Sequence, residues 1–346
     1  MLFRGIGEAG QQALADSHVL IIGCGALGCV AADTMTRAGV GRIRIVDRDF
    51  VELTNLQRQV LYTEEDVASQ LPKAIAAADR LRRINSQVQI EPIVADADFT
   101  NIRALTEDVH LILDGTDNFE VRYLINDVSL ESGIPWIFTG CTGSHGQMMP
   151  VLPGRSACLR CLMPEPPPPG STETCDTAGV LGPAIGTIAS LQAAAALRLL
   201  TVARSSAGDD MQSTQKTMPQ QLTIVDVWDF SFRQVDVSQL REHANCPACA
   251  RGERLWLDGS RSSGSTVLCG RNAVQISPAD RLVLSLPELQ ERLVRSGTVT
   301  GNRFLVRVRL SDSEHEITVF PDGRAIIKGT EDPAVARSLY SRHIGS

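Results

Sequence analysis

The chain has no long cluster of lysine and arginine, and its formal net charge is −7. That balance argues against nucleic acid or an anionic membrane surface as the main partner. No apolar run is read as long enough to cross a bilayer. Met1-Leu2-Phe3-Arg4-Gly5 carries no secretory apolar region, so a cytoplasmic protein is expected. Nine cysteines, an odd number without an export signal, argue against a disulfide framework. The six histidines form no pair at metal-ligand spacing, and no internal repeat is found. What is present is 346 residues with 43% hydrophobic content. That is enough for a sizeable core in one large or two moderate domains.

Short apolar runs at 18–22, 42–47, 88–94, 109–114 and 136–138 read as strands, and 26–38, 71–84 and 119–132 as the helices between them. Strands alternating with helices predict an α/β, Rossmann-like fold with a mostly parallel sheet covered on both faces. After residue 146 the pattern changes. Short strands surround Cys158 and Cys161, Pro164 to Pro169 read as an exposed crossing loop, and an apolar small-residue helix covers 183–201. Residues 204–220 read as a polar excursion, and a strand at 222–227 leads toward Cys246 and Cys249. Arg251 to Ser265 read as a linker to a small C-terminal α+β domain. Its expected strands are 272–276, 303–310, 315–320 and 324–328, its helices 286–296 and 332–342, with a hairpin turn at Phe320-Pro321-Asp322-Gly323-Arg324. The expected division is 1–250 and 266–346.

Gly23-Cys24-Gly25-Ala26-Leu27-Gly28 is a glycine-rich strand-to-helix turn. Gly23 permits the tight turn, Gly25 lets phosphate approach the backbone, and Gly28 lets the helix pack close to the sheet. Alone it is a weak signal that nicotinamide enzymes share. Asp47 ends the second strand, where an acid binds ribose of NAD and ATP alike. Asp49, Asn55 and Arg58 discriminate, because a guanidinium neutralises the charge that gathers on departing pyrophosphate. Lys73 offers a second cation, with a solvated surface lysine as the plain alternative. Asp117 and Asn118 follow the strand at 109–114, at the carboxyl edge where ligands bind. Asp117 is a candidate Mg²⁺ ligand or a helix cap, and Asp114 is a candidate for the cap or for assistance at the metal.

Cys158-Leu-Arg-Cys161 and Cys246-Pro-Ala-Cys249 each place two thiolates on one knuckle, and together they predict a closed structural Cys₄ zinc site. Cys175, just after the proline-rich loop, is a candidate nucleophile, with a buried thiol as the alternative. Cys24, Cys29, Cys141 and Cys269 read as core.

These segments, together with Asn55-Leu56-Gln57-Arg58-Gln59, Pro72-Lys73, Asp114-Gly115-Thr116-Asp117-Asn118 and Cys175-x-x-Ala178-Gly179-Val180-Leu181-Gly182-Pro183, resemble the ThiF/MoeB/HesA family, the bacterial relatives of ubiquitin-activating enzymes. The resemblance spans residues 1–250. It implies ATP-dependent adenylation of the C-terminal glycine of a small ubiquitin-like sulfur-carrier protein of the ThiS or MoaD kind. It also implies a homodimer. On that resemblance Gly23, Gly25, Ala26, Gly28, Asp47, Asp49 and Asn118 border the nucleotide, with Asp47 on the ribose. Asn55, Arg58 and Lys73 contact the phosphates, Asp117 holds Mg²⁺, and Cys175 matches the loop cysteine that serves sulfur chemistry.

Relatives of this kind begin with an Arg-Tyr-x-Arg-Gln segment, and Met1-Leu2-Phe3-Arg4-Gly5 matches only the stretch after that segment. Leu339-Tyr340-Ser341-Arg342-His343-Ile344 resembles it, which makes Arg342 a candidate substitute beside the simpler reading of an end helix. Two other functions remain open on the sequence alone. One is a nicotinamide-dependent oxidoreductase, from the glycine turn and Asp47. The other is a family member that binds without turnover.

Overall fold

The computed structural model describes residues 3–167, 178–202, 218–243, 245–261, 265–268, 272–278 and 284–345. Chain contacts divide it into Met1–Ser262 and Ser263–Ser346. In the first unit β1 (His18–Ile22), β2 (Arg42–Val46), β3 (Gln89–Ile93), β4 (Leu111–Asp114), β5 (Trp136–Thr142), β6 (His145–Val151), β7 (Gln221–Asp226) and β8 (Ser231–Asp236) form one sheet in the order β3-β2-β1-β4-β5-β6-β7-β8. The first five in that order run parallel, and β6, β7 and β8 are added antiparallel.

Successive residues of β1 and β4 feed opposite faces of the sheet, which is why these strands are apolar throughout. Val19, Ile21, Leu111 and Leu113 join one core with α2 (Ala26–Ala38), α4 (Lys73–Ile84) and α8 (Gly182–Val202), while Leu20, Ile22 and Ile112 join the other with α6 (Phe119–Ser132). The shorter helices are α1 (Gly7–Ala15), α3 (Glu64–Ala68), α5 (Ile102–Leu105), α7 (Leu159–Leu162) and the single turn Leu240–His243. Register fixes the site. Ile22 pairs with Val46 on one side and with Asp114 on the other. The glycine turn, Asp47 and the loop 115–118 therefore leave the sheet side by side at its carboxyl edge, where the strand order reverses.

Several expectations need correction. No span of membrane length was expected, yet Gly182–Thr201 is long and apolar enough to cross one by length and composition. It packs against α2, β5 and β6 as a core helix, and alanine-rich sequence serves both situations. Arg251 to Ser265 read as a linker, but Trp256 and Leu257 are buried in the first unit's core. Helix α1 and strand β8 were not expected. Cys175, Cys269 and most of 204–220 lie outside the described residues.

The second unit is a six-stranded antiparallel sheet. β9 (Ser265–Leu268), β10 (Ala273–Ile276), β11 (Gly297–Gly301), β12 (Val306–Leu310), β13 (Glu316–Val319) and β14 (Ala325–Lys328) lie in the order β11-β12-β13-β14-β10-β9. The helices Leu286–Leu293 and Pro333–His343 bury Leu289, Leu293, Ala336 and Tyr340 against one sheet face. The turn from Phe320 to Arg324 joins β13 to β14 through a Phe320 N–H to Arg324 C=O bond of 2.9 Å. Strands β9 and β11 were not expected.

Candidate active site

The glycine turn is shaped by two close approaches. Gly23 has φ +85°, and a Cβ there would stand 2.7 Å from the Gly115 carbonyl oxygen. A Cβ on Gly28 would stand 2.0 Å from the Gly23 oxygen. Only glycine fits either position. Gly25 differs, because the nearest atoms to a Cβ there are Gln59 Nε2 at 3.8 Å and the Gly115 oxygen at 4.0 Å. Helix α2 begins immediately after Gly25, which offers its first turn no side-chain cap. Uncapped N–H groups at a turn without such close approaches suit an anion.

Asp47 is tied to this turn. The Cys24 N–H donates to its Oδ2 at 2.6 Å and the Asp49 N–H to its Oδ1 at 2.7 Å. Burial pushes its pKa up, with the Lys73 charge pulling the other way. Lys73 is only 4% exposed and its Nζ lies 3.2 Å from Asp49 Oδ2, so it is no solvated surface lysine. The Tyr62 hydroxyl donates to the Cys24 carbonyl at 2.7 Å and lies 3.3 Å from that of Lys73, fastening the head of α4 to the turn. Arg48, which sequence reasoning did not single out, sits 2.9 Å from Asp96 and 3.8 Å from Asp49. Burial works against its charge, but Asp96, Asp49 and Asp117 outweigh that and push its pKa up. Asn55, itself buried, closes a short turn, and its carbonyl accepts from the N–H groups of Arg58 and Gln59. Arg58, half-exposed, donates from Nη1 to the Thr54 carbonyl at 3.2 Å.

On the β4 side, Asn118 caps α6, its side chain accepting from Glu120 N–H at 2.8 Å. The capping role is therefore neither Asp117's nor Asp114's. Asp114 is fully buried and accepts from Arg122 Nε at 3.0 Å, Thr116 N–H at 3.0 Å and Thr139 N–H at 3.2 Å. Burial raises its pKa and the Arg122 charge opposes the rise. It acts as a strut, and Asp117 is the exposed carboxylate of this loop.

The four cysteines converge. Their sulfurs lie within 4.8 Å of one another, with 158–161, 158–246 and 161–249 separations of 3.8, 3.6 and 3.4 Å. A tetrahedral zinc with Zn–S bonds of about 2.3 Å needs sulfur spacings of about 3.8 Å, so the cluster fits that ion. The cluster is fastened to α6. Asn126 accepts from Leu159 N–H at 2.9 Å, Asp127 from Trp256 N–H at 3.0 Å, and the Tyr123 hydroxyl donates to Met163 at 2.9 Å.

Asp127 yields a pH prediction. Burial pushes its pKa up from 3.8 to about 6, partly offset by the Trp256 N–H. The folded protein therefore binds this proton more tightly than the unfolded chain. The associated stability is fully present below about pH 4 and is lost as pH rises through 6. Asp127→Asn keeps the acceptor and removes the ionisation. The variant is expected to gain on the wild type by roughly 2–3 kcal/mol between pH 4 and 8 in denaturant unfolding. A stability difference independent of pH would refute the assignment.

The structure thus gathers Gly23, Gly25, Ala26, Gly28, Asp47, Asp49 and Lys73 around one turn, with Asp117 and Asn118 on the adjoining loop. The segment bearing Asn55 and Arg58 presses on that turn through Gln59 and Tyr62. Arg342, on the helix Pro333–His343 of the second unit, pairs with Asp312 at 3.9 Å. The β7–β8 turn lies on the same sheet edge, because His145, which follows the carboxyl end of β5, pairs with Asp226. This turn exposes Trp228 and Phe230, 73% and 95% accessible.

Residues 1–248 match the ThiF family model. The sulfur carrier protein ThiS adenylyltransferase of Bacillus subtilis is 40% identical over 345 residues, 99% of this chain and 97% of that protein. The sulfur carrier protein adenylyltransferase of Thermus thermophilus is 36% identical over 255 residues, covering 72% and 88% respectively. The SAMP-activating enzyme E1 of Haloferax volcanii is 36% identical over 247 residues, covering 71% and 85%. Among solved structures, E. coli MccB superposes with a TM-score of 0.56 at 20% identity, over 70% of this chain and 68% of its own, a likeness of fold.

Proposed function

Because this chain belongs to the ThiF family, we propose that it is an ATP-dependent adenylyltransferase that activates the C-terminal glycine of a ubiquitin-like sulfur-carrier protein. The observation that carries the reading is the pairing of buried Lys73 with half-buried Asp49 beside the uncapped start of α2. A buried ammonium next to an anion-accepting turn suits a triphosphate better than a nicotinamide dinucleotide, whose binding leaves Lys73 and Arg58 without work.

The carrier carboxylate attacks the α-phosphorus in line and pyrophosphate leaves. No protein nucleophile is needed, so alignment and electrostatics supply the rate. The first turn of α2 receives phosphate oxygens. Asn55, Arg58 and Lys73 offset the charge accumulating on pyrophosphate, and Asp47 faces the ribose. Asp117, exposed at the sheet edge and relieved of capping by Asn118, would hold Mg²⁺, which when bound supplies further charge neutralisation at the phosphates. The four cysteines would hold zinc in a closed, structural site. Exposed Trp228 and Phe230 on the same edge support a protein-sized acceptor. A cytoplasmic location accords with the unbridged cysteines among the described residues, and a homodimer belongs to the same proposal on the family resemblance.

Cys175 is assigned to the later sulfur step, not to adenylation. Cys175→Ser is expected to leave carrier-dependent ATP–pyrophosphate exchange within about twofold of wild type while blocking thiolated-carrier formation. Loss of exchange itself in this variant would refute that division. ATP binding without any exchange in the wild type would identify a binding protein instead.

A further inference from the structure

Gln59 stands out among the residues lining the glycine turn. Its side chain is 4% exposed, its Nε2 lies 3.8 Å from where a Gly25 Cβ would be, and its buried Oε1 has no hydrogen-bond partner. A buried amide oxygen without a donor is costly and calls for a partner from outside the chain. The missing partner must be a donor, since an amide oxygen only accepts. This excludes the phosphates, which at neutral pH only accept as well. An adenine nucleotide offers two kinds of donor, the ribose hydroxyls and the adenine amino group.

The ribose is favoured by what surrounds it. Both oxygens of Asp47 already accept backbone N–H bonds, from Cys24 and Asp49, so Asp47 has limited capacity to satisfy two hydroxyls. Gln59 is brought to the same turn. Its N–H donates to the Asn55 carbonyl at 3.0 Å, and Tyr62, three residues on, donates to the Cys24 carbonyl. A nucleotide whose phosphates lie over Gly25 and whose ribose reaches toward Asp47 crosses the turn that Asp47 and Gln59 both touch.

We propose that Gln59 reads the ribose of the bound nucleotide, accepting a hydrogen bond from one of its hydroxyls and so favouring ribonucleotide over deoxynucleotide. This rests on the adenylation reading and extends it to the sugar specificity of the same site.

The test measures Kd for ATP, 2′-deoxy-ATP, 3′-deoxy-ATP and ITP, and carrier-dependent pyrophosphate exchange with each, for the full chain and two variants. Gln59→Met matches the side chain in size without its polar atoms, and Gln59→Glu retains an acceptor. Wild type is expected to bind ATP about tenfold more tightly than one of the two deoxynucleotides. Gln59→Met should weaken ATP by about that factor and leave that deoxynucleotide unchanged, which removes the preference. Gln59→Glu should weaken all four through charge and keep the ratio. Equal weakening of ATP and both deoxynucleotides by Gln59→Met, or no change in any, would overturn the proposal. So would a lost preference for ATP over ITP alone, which would put the adenine amino group on Oε1. Absence of ATP binding and exchange in the wild type would instead overturn the adenylation reading beneath it.

Discussion

Replacing Asp117 with alanine is expected to lower carrier-dependent ATP–pyrophosphate exchange by about three powers of ten, with unfolding free energy unchanged within about 0.5 kcal/mol. The two halves of this expectation come from different atoms. Asn118, not Asp117, accepts the N–H groups at the start of α6, so loss of the Asp117 carboxylate takes no cap away. Asp117 is exposed, and Arg48, whose charge it supports, keeps its closer partners Asp96 and Asp49. Asp114, three residues earlier, is its opposite, because it holds the buried Arg122 fork and the loop backbone. On this proposal catalysis and support are divided between Asp117 on the loop and Asp114 at the end of β4. A variant that keeps full exchange would remove Asp117 from the metal role. One that loses exchange only by unfolding would make it a structural residue.

Removing one thiol of the proposed zinc site is the second large effect. Cys161→Ser is expected to abolish stoichiometric zinc and to lower unfolding free energy on the order of 3–5 kcal/mol, with Tm falling by roughly 10 °C. The cluster ties residues 158–161 to 246–249 across a long stretch of chain, and closing so long a loop in the unfolded chain is costly. Trp256 gives a local readout. It stacks on Tyr123 with centroids 4.4 Å apart and lies beneath the Arg160 guanidinium, so its fluorescence should report loosening of the knuckle before global unfolding. Zinc-free protein with unchanged Tm and unchanged Trp256 emission would show that the four thiols support the fold without a metal.

The parallel half of the sheet was legible because buried strands such as His18-Val-Leu-Ile-Ile are apolar on both faces, and because Gly39 and Gly133, both at positive φ, close α2 and α6. Strand β8 was not. All but one of its residues are exposed, so it carries no pattern of burial. Arg251 to Ser265 looked like a linker because Leu255-Trp256-Leu257 is a short apolar run between polar flanks, and its burial depends on Tyr123, Asp127 and Arg160, all distant in sequence. The glycine turn, the second-strand acids and the two cysteine pairs were legible as chemistry. The partners of those groups were not, because each depends on contacts distant in sequence. Examples are Arg48 with Asp96, Tyr62 with Cys24, and Asp114 with Arg122. Cys175 lies outside the described residues, and its role rests on its sequence context.

The most direct measurement is the intact mass of a candidate sulfur-carrier protein after incubation with this chain, ATP and Mg²⁺. Adenylation predicts a carrier species heavier by one adenylyl group. It should be labile to hydroxylamine and absent when the terminal glycine is deleted. A carrier of unchanged mass from enzyme that has bound ATP, across the carriers of the source genome, would contradict adenylation as the function of this site.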